Sequence, residues 1–523
     1  MIPSSRLLAA LSRHWGYSSF RPGQEDIARG IVEGRDACVV MPTGGGKSLC
    51  YQLPAALAET RTAIVISPLI ALMQDQVAQL EEIGVPAAVL NSALTFPQRE
   101  KIRSEAQRGA FRLLYLSPES VSQEATLRWL KSLGLSFFVI DEAHCISEWG
   151  HDFRPEYRQL NRLRREFPDL PIVAFTASAT QRVRHDIVEQ LGLRDPHRHI
   201  ASFYRPNLHY VVRECSHAEQ EAILLESLRT LEEGSAIVYA PTIRRVEEVL
   251  EFLLEHGIPA VGYHGKMEMS ERRHNQRLWS SGEIRVVVGT VAFGLGINKA
   301  AVRRVIHLSL PKSVEQYYQE AGRAGRDALP ADCLLLWQNR DAGIIGHFLS
   351  EIGDGRERER AWQRFHEVRE FVANTACRQF ELCRHFGERP KWQSCGCCDV
   401  CAGLPDWFEK SVRAASSHSK AAPMSAQARE SLQLLNRGLS FEEIARQRGC
   451  KLQSVENLIG AMVERGQCAY RQEWVPQTRY EQIRQAGAKI GWERLKPIKE
   501  LLPEEISYGE IRLVAAHQRL QTL

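Results

Sequence analysis

Behind a short apolar run, the chain reads Pro42-Thr43-Gly44-Gly45-Gly46-Lys47-Ser48 and then turns helix-like. Glycines let successive backbone N–H groups converge on phosphate oxygens, and a new helix N-terminus adds partial positive charge. Strand, glycine loop and helix in that order make a phosphate loop. Thr43, Gly44, Gly45 and Gly46 would wrap the phosphates. Lys47 would reach the β- and γ-phosphates, and the Ser48 hydroxyl would ligate Mg²⁺. The commoner eight-residue pattern has a glycine where Met41 stands, so a shortened loop is implied. Downstream, Phe137–Ile140 leads into Asp141-Glu142-Ala143-His144. Asp141 at a strand end is placed to hold Mg²⁺, and Glu142 to orient and deprotonate an attacking water. A third piece is Gln319-Glu320-Ala321-Gly322-Arg323-Ala324-Gly325-Arg326. Arg323 and Arg326 are expected on one helical face, from which an arginine of a facing domain neutralises charge on a transferring phosphoryl group. Gln319 belongs to the same motif. Singly, these could be a Gly-rich turn, two exposed acids and a solvated basic helix. In this order they imply ATP hydrolysis.

Six of the thirteen cysteines crowd into residues 377–401. Cys377, Cys395, Cys398 and Cys401 follow C-x17-C-x2-C-x2-C, a thiolate set suited to tetrahedral Zn²⁺ in a reducing compartment. An iron–sulfur cluster is the rival reading, and disulfides a weaker one. Cys383 and Cys397 are extra, Cys397 being a bystander or an alternative ligand. The scattered cysteines, Cys38, Cys50 and Cys215 among them, read as small core residues. Between residues 145 and 157, Trp149 and Phe153 stand among His, Asp, Arg and Gly. Such aromatics offer faces for unpaired bases, each stack worth about 1–3 kcal/mol, and Arg154 adds charge. The alternative is that they fill a sheet edge as core.

The wording of these motifs resembles the RecQ helicases of superfamily 2. Phe20-Arg21-Pro22-Gly23-Gln24 resembles an adenine-recognition motif. The resemblance implies that Gln24 reads the adenine edge and that Tyr17 and Arg21 pack on the base. Ser67 to Gln76, with Gln74, resembles the motif that contacts single-stranded DNA, and Val291 to Lys299 is similar to the family's motif V. The stretch after the Asp-Glu-Ala-His box resembles the family's aromatic-rich loop. Cys377-Arg378 and Phe386-Gly387-Glu388 resemble its zinc module. The similarity runs from residue 7 to about residue 403, and again weakly at the C-terminus. It departs at Ser178, where Thr is commoner, and at Tyr239-Ala240-Pro241-Thr242-Ile243-Arg244, which puts nucleotide contacts from that loop in question. What it implies is an ATP-, Mg²⁺- and Zn²⁺-dependent enzyme travelling 3′ to 5′ on single-stranded DNA. Such an enzyme unwinds duplex, forked or junction DNA in repair or recombination. A translocase or RNA helicase, or a DNA-binding scaffold with a dead ATPase, are the alternatives.

Positioning these residues needs an α/β fold. Continuous apolar runs suit strands buried on both faces of a parallel sheet. They occur at Ala37–Met41, Ala63–Ser67, Leu113–Ser117, Phe137–Ile140 and Ile172–Phe175. A second series lies at Ala236–Ala240, Pro259–Tyr263, Val286–Val288, Val305–Leu308 and Cys333–Trp337. Two tandem RecA-like parallel-sheet motor domains are therefore predicted over 1–205 and 206–340. A helical zinc module follows over 341–408, then a linker over 409–424 and a helical domain over 425–523. In that last part Ser440-Phe441-Glu442-Glu443 starts a capping box. Apolar spacing from Ile444 to Met462 around Gly449 resembles a helix-turn-helix, and a packing domain without DNA contact is equally open. The family's usual winged helix, with its strand-splitting hairpin, is missing.

With 523 residues, 44% hydrophobic and 25% charged, the chain has the composition of a globular protein of several domains. A net charge of +4 permits nucleic-acid binding without arguing for it. No apolar run approaches the roughly 20 residues of a membrane span, and Met1 to Arg13 lacks the pattern of a signal peptide. The cytoplasm, with association to the nucleoid or chromosome, is the expected compartment.

Overall fold

The computed structural model describes residues 2–91, 94–291, 293, 299–411, 426–450, 452–464, 467–492 and 495–522. The chain forms two compact units, Met1–Glu409 and Lys410–Leu523. Motif V falls mostly, and the proposed linker largely, outside the described residues.

The first unit opens on seven strands: β1 Ala37–Val40, β2 Thr62–Ile66, β3 Ala87–Leu90, β4 Leu113–Leu116, β5 Leu135–Ile140, β6 Ile172–Thr176 and β7 His197–Ile200. They form one parallel sheet in the order β3-β4-β2-β5-β6-β1-β7. Side chains alternate across a pleated strand, and here both faces are apolar. Val39, Val65, Tyr115 and Val139 enter one core, while Val40, Ile66, Leu114 and Ile140 enter another. Each such side chain contributes about 1.5–3 kcal/mol on full burial.

A second parallel sheet comprises β8 Leu208–Glu214, β9 Ser235–Tyr239, β10 Ala260–Tyr263, β11 Val286–Gly289, β12 Val302–His307 and β13 Ala331–Trp337. Its order is β10-β11-β9-β12-β13-β8. The tandem parallel-sheet α/β class expected from sequence is the fold observed. Strands β3, β7 and β8 were not expected. All three are edge strands; β7 has an exposed alternate face and β8 ends in exposed Arg213 and Glu214. Polar residues on β7 and β8 break the continuous apolar signal, whereas β3 is wholly apolar but only four residues long.

Register explains how the motifs meet. Val40 of β1 pairs with Thr176 of β6, and Ile66 of β2 with Ile140 of β5. The loops after β1, β2, β5 and β6 therefore leave one edge of the sheet, where ligands of open α/β sheets bind.

Among the described residues after β13 the regular elements are all helices. The helices Gly355–Ala373 and Arg378–His385 carry a module that clasps the segment between the two sheets. Phe386 stacks on Phe203 with centroids 4.3 Å apart and leans on Tyr318. The Glu388 carboxylate accepts from Ser202 Oγ at 2.7 Å and Phe203 N at 2.8 Å. Gln379 accepts from Arg205 N and donates to Arg205 O, both at 2.9 Å.

The second unit is helical among its described residues, with a core of Ile444, Val455, Ile459, Ile483, Ile498, Ile511 and Val514. The capping box expected at Ser440 is present: Ser440 Oγ accepts from Glu443 N and the Glu443 carboxylate from Ser440 N. Helices Phe441–Gln447 and Leu452–Glu464 flank Gly449, whose φ of +61° makes the turn.

Candidate functional site

A cleft of about 700 Å³ between the two sheets is lined from the first by Tyr17, Arg21, Gln24, Thr43, Gly44, Gly46, Lys47, Ser48, Asp141 and Glu142, and from the second by Gln319, Arg323 and Arg326. The phosphate loop runs from β1 to the helix Lys47–Leu57. Its backbone is gripped from outside. Arg21 donates to Gly44 O at 2.6 Å, and Gln24 Nε2 to Gly46 O at 3.2 Å and Gly45 O at 3.4 Å. Gly46 has φ +80°, and a Cβ there would collide with the Gln24 amide; the loop is glycine for space as well as conformation. Lys47 Nζ lies 3.1 Å from Met41 O. Burial lowers the Lys47 pKa, against the charges of Glu142 and Asp141, which raise it.

Asp141 and Glu142 follow β5. Burial, and then the neighbouring Glu142 charge, push the Asp141 carboxyl up. Burial acts on Glu142 in the same sense, but the hydrogen bond and charge of His144 hold it low. His144 Nδ1 lies 3.2 Å from Glu142 Oε2 and 2.9 Å from Thr176 Oγ1 at the end of β6. His151 stacks on His144 at 4.5 Å, and Tyr157 donates to Asp141 O at 2.9 Å. Glu142 is thus an ionised acceptor at the cleft wall, fit to orient water and take its proton. Ser48 and Asp141 supply the oxygen donors that suit Mg²⁺.

The two arginines are not on one helical face. The helix Val314–Ala321 stops at Gly322, and Arg323 and Arg326 lie in the following turns. Gly325 (φ +53°) bends this segment back: its N–H donates to Val302 O at 2.9 Å, and a Cβ would collide with Asn207. Both arginines still line the cleft. Burial, then the charge of Arg323, lowers the Arg326 pKa, leaving a poorly solvated cation that gains from an approaching phosphate. Gln319 reaches across to Ser178 Oγ at 3.0 Å. Arg205, which the sequence did not mark, joins both halves: it donates to Thr43 O at 3.2 Å and to Ala324 O and Gly325 O at 3.3 and 3.2 Å. Only its place at the boundary could have drawn notice. His144 and His151 were also missed as partners of Glu142.

Of the residues expected to meet DNA, Gln74, Trp149 and Phe153 do not line this cleft, whereas Arg154 lines an adjoining pocket with Glu142, Gln319 and Arg323. Gln74 is exposed on the helix Ile70–Glu82. The Trp149 ring carries the Arg182 guanidinium at 3.2 Å and Arg360 at 5.7 Å. Phe153 lies 5.7 Å from Arg158, and Arg154 pairs with Asp152 at 3.2 Å.

Cys377, Cys395, Cys398 and Cys401 place one sulfur each within 4.8 Å of the others. The Cys377–Cys398 sulfurs are 4.0 Å apart, close to the roughly 3.8 Å edge that about 2.3 Å zinc–sulfur bonds require. Burial raises the Cys377 thiol pKa, against the Cys395 N–H, which donates to Cys377 Sγ at 3.3 Å. Four thiolates so disposed fit Zn²⁺. Cys397 is outside the set, its sulfur 3.2 Å from the Gln379 amide and 3.8 Å from Leu208 O. Cys383 is fully buried core.

A phosphate loop and an acidic pair on one parallel sheet, faced by arginines of a second, define a helicase-type nucleotide motor. The DEAD/DEAH box helicase family matches residues 21–187 and the helicase conserved C-terminal domain residues 219–328. RecQ zinc-binding matches 339–402 and a helix-turn-helix domain 427–515. A protein of Pasteurella multocida (strain Pm70), named ATP-dependent DNA helicase RecQ, is 42% identical over 402 residues, 77% of this chain and 63% of its own length. One of Bacillus subtilis (strain 168) with the same name is 38% identical over 400 residues, 76% of this chain and 67% of its own. The crystal structure of the DUF1998 helicase MrfA bound to DNA superposes with a TM-score of 0.54 at 25% identity, covering 64% of this chain and 51% of that one. The chain belongs to the RecQ family of superfamily 2 helicases. It spans 63% and 66% of the lengths of the P. multocida and Haemophilus influenzae relatives. No helix among the described residues is long and apolar enough to cross a membrane.

Proposed function

We propose that the chain is an ATP-dependent DNA helicase that moves 3′ to 5′ along single-stranded DNA and separates duplex, forked or junction DNA in repair or recombination. The observation that carries this reading is the cleft whose walls bring Lys47, Asp141 and Glu142 from one sheet against Arg323 and Arg326 of the other. The names of the relatives, ATP-dependent DNA helicase RecQ, support the substrate. In this reading Thr43 to Gly46 wrap the phosphates and Lys47 binds the terminal ones. Ser48 and Asp141 hold Mg²⁺, which would offset phosphate charge. Glu142 takes a proton from the attacking water. Arg323 and Arg326 neutralise the transferring group, and Gln319 couples the halves through Ser178. Tyr17, Arg21 and Gln24 hold the base. Closing and reopening of the cleft then alternates affinity for DNA at Gln74, Trp149, Phe153 and Arg154. The domain limits are those read from sequence, 1–205, 206–340, 341–408, 409–424 and 425–523, and the site of action is the cytoplasmic chromosome.

A second reading is a translocase that does not part strands. Among the described residues beyond Trp337 there is no strand, hence no hairpin wedge. Strand displacement on duplexes bearing a 3′ DNA tail, a 5′ DNA tail or an RNA tail decides, with Lys47→Ala as control. Displacement from the 3′ DNA tail alone is expected. DNA-stimulated hydrolysis without displacement supports the translocase, and displacement by Lys47→Ala refutes the assigned site.

A further inference from the structure

Away from the nucleotide cleft and the four cysteines, three side chains from three helices converge. Glu315 lies on the helix Val314–Ala321, Glu367 on Gly355–Ala373, and His385 closes Arg378–His385. One potential ligand atom from each lies within 4.8 Å of the other two. His385 Nε2 is 2.8 Å from Glu315 Oε1. Glu315 is only 5% exposed, and its second carboxylate oxygen is buried without a hydrogen-bond partner. An acceptor buried without a donor is destabilising. The second acid, Glu367, adds like charge to the same place rather than relief. Glu367 has a long hydrogen bond from Gln363 at 3.5 Å, and it and His385 are half-buried, leaving an ion a way in.

We propose that Glu315, Glu367 and His385 form a second divalent-metal site, distinct from the four-cysteine centre. Two carboxylates and an imidazole suit Zn²⁺ or Mn²⁺, whereas Mg²⁺ and Ca²⁺ favour all-oxygen sets. Ligand atoms bound to one such ion at about 2.0–2.2 Å lie roughly 3.3 Å apart in a tetrahedral site, so rotations that draw the looser contacts inward complete it. The orphaned Glu315 oxygen gains a partner, and the two acids share a counter-charge. The ion pins a helix of the second sheet to two helices of the cysteine-bearing module. This site does not depend on the function proposed above.

The test is metal content of the full chain equilibrated with micromolar Zn²⁺ or Mn²⁺ and desalted. Wild type is expected to retain two equivalents when loaded with Zn²⁺. Glu367→Gln and His385→Gln should retain one, with the Kd of the second site raised at least tenfold. Cys395→Ser should lose the other equivalent and keep this one. Loading with Co²⁺ adds an independent readout, since only one of two bound ions should show thiolate charge-transfer absorption. Glu367→Gln changes neither size nor a well-packed position, and its thermal transition in chelator should equal that of wild type. One equivalent in wild type under saturating Zn²⁺, leaving Glu315–His385 a plain ion pair, overturns the proposal. Two equivalents in both variants do so as well.

Discussion

Glu142 has φ +49° and ψ +43°, a left-handed conformation that costs a residue with a side chain about 1 kcal/mol or more. It is held there by the His144 contact and by Cys145 N donating to Glu142 O at 2.9 Å. The strain aims the carboxylate into the cleft instead of along β5. Replacing Glu142 by Gln keeps shape and removes the proton acceptor. Steady-state hydrolysis should fall about 10²- to 10⁴-fold with nucleotide affinity retained, and wild-type turnover in a single-turnover assay would refute the role. Arg326→Ala should cost roughly 10³-fold or more in kcat, since burial has already stripped that guanidinium of water. Gln24→Ala loses the grip on two loop carbonyls, and about a fivefold rise in KM for ATP follows from a net loss of about 1 kcal/mol; an unchanged KM would count against it. The loop, the acidic pair and the arginines were legible because each is a residue type at fixed spacing. Arg205, His144 and His151 were not. Arg205 takes its meaning from partners more than a hundred residues away along the chain, and the two histidines from a local turn that brings them onto Glu142.

At the scale of elements, the stretch after the acidic pair is fastened to the long helix Gly355–Ala373. Glu148 pairs with Arg360 at 2.8 Å and Arg158 at 3.2 Å, while Arg182 lies over Trp149. A base that stacks on Trp149 must displace a guanidinium. Arg360→Ala should therefore loosen this stretch and raise DNA-independent ATP hydrolysis. About 1 kcal/mol for a partly exposed ion pair corresponds to roughly fivefold. A basal rate equal to wild type would sink the idea. Trp149→Ala should weaken single-stranded DNA binding measured by fluorescence anisotropy. Most interior strands were legible to within about two residues at their ends, because β1, β2, β4, β5 and β6 are buried on both faces and are apolar apart from Thr62, Ser136 and Thr176. The edges β7 and β8 follow a different rule and left no continuous apolar run. The arginine turn was misread as helix because Gly322 and Gly325, read as fillers of a motif, in fact end it.

At the scale of the molecule, the two units have separate cores, so they should melt separately. Zinc in a small cysteine site contributes on the order of 10 kcal/mol to folding, and the module it shapes presses Phe386 onto Phe203 and Tyr318. Chelating the metal should lower the calorimetric transition of residues 1–409 and leave that of residues 410–523 in place. Equal shifts in both, or none, would contradict this. Phe386→Ala, which leaves the cysteines untouched, should cost the first unit about 3–5 kcal/mol.

The clasp has a consequence for the birth of the protein. Its bonds from Glu388 to Ser202 and Phe203 span 186 and 185 residues, and those of Gln379 to Arg205 span 174. Chains emerge N-terminus first and domains fold as units in that order. Both sheets are therefore on hand before the residues that lock them together have left the ribosome, and the lock closes late, when the cysteines gather their metal. Metal supply at that moment then sets how many nascent chains mature into a locked pair of sheets. Pulse-labelled chains made in zinc-starved cells should carry a protease-sensitive Ser202–Pro206 segment, while each sheet resists cleavage.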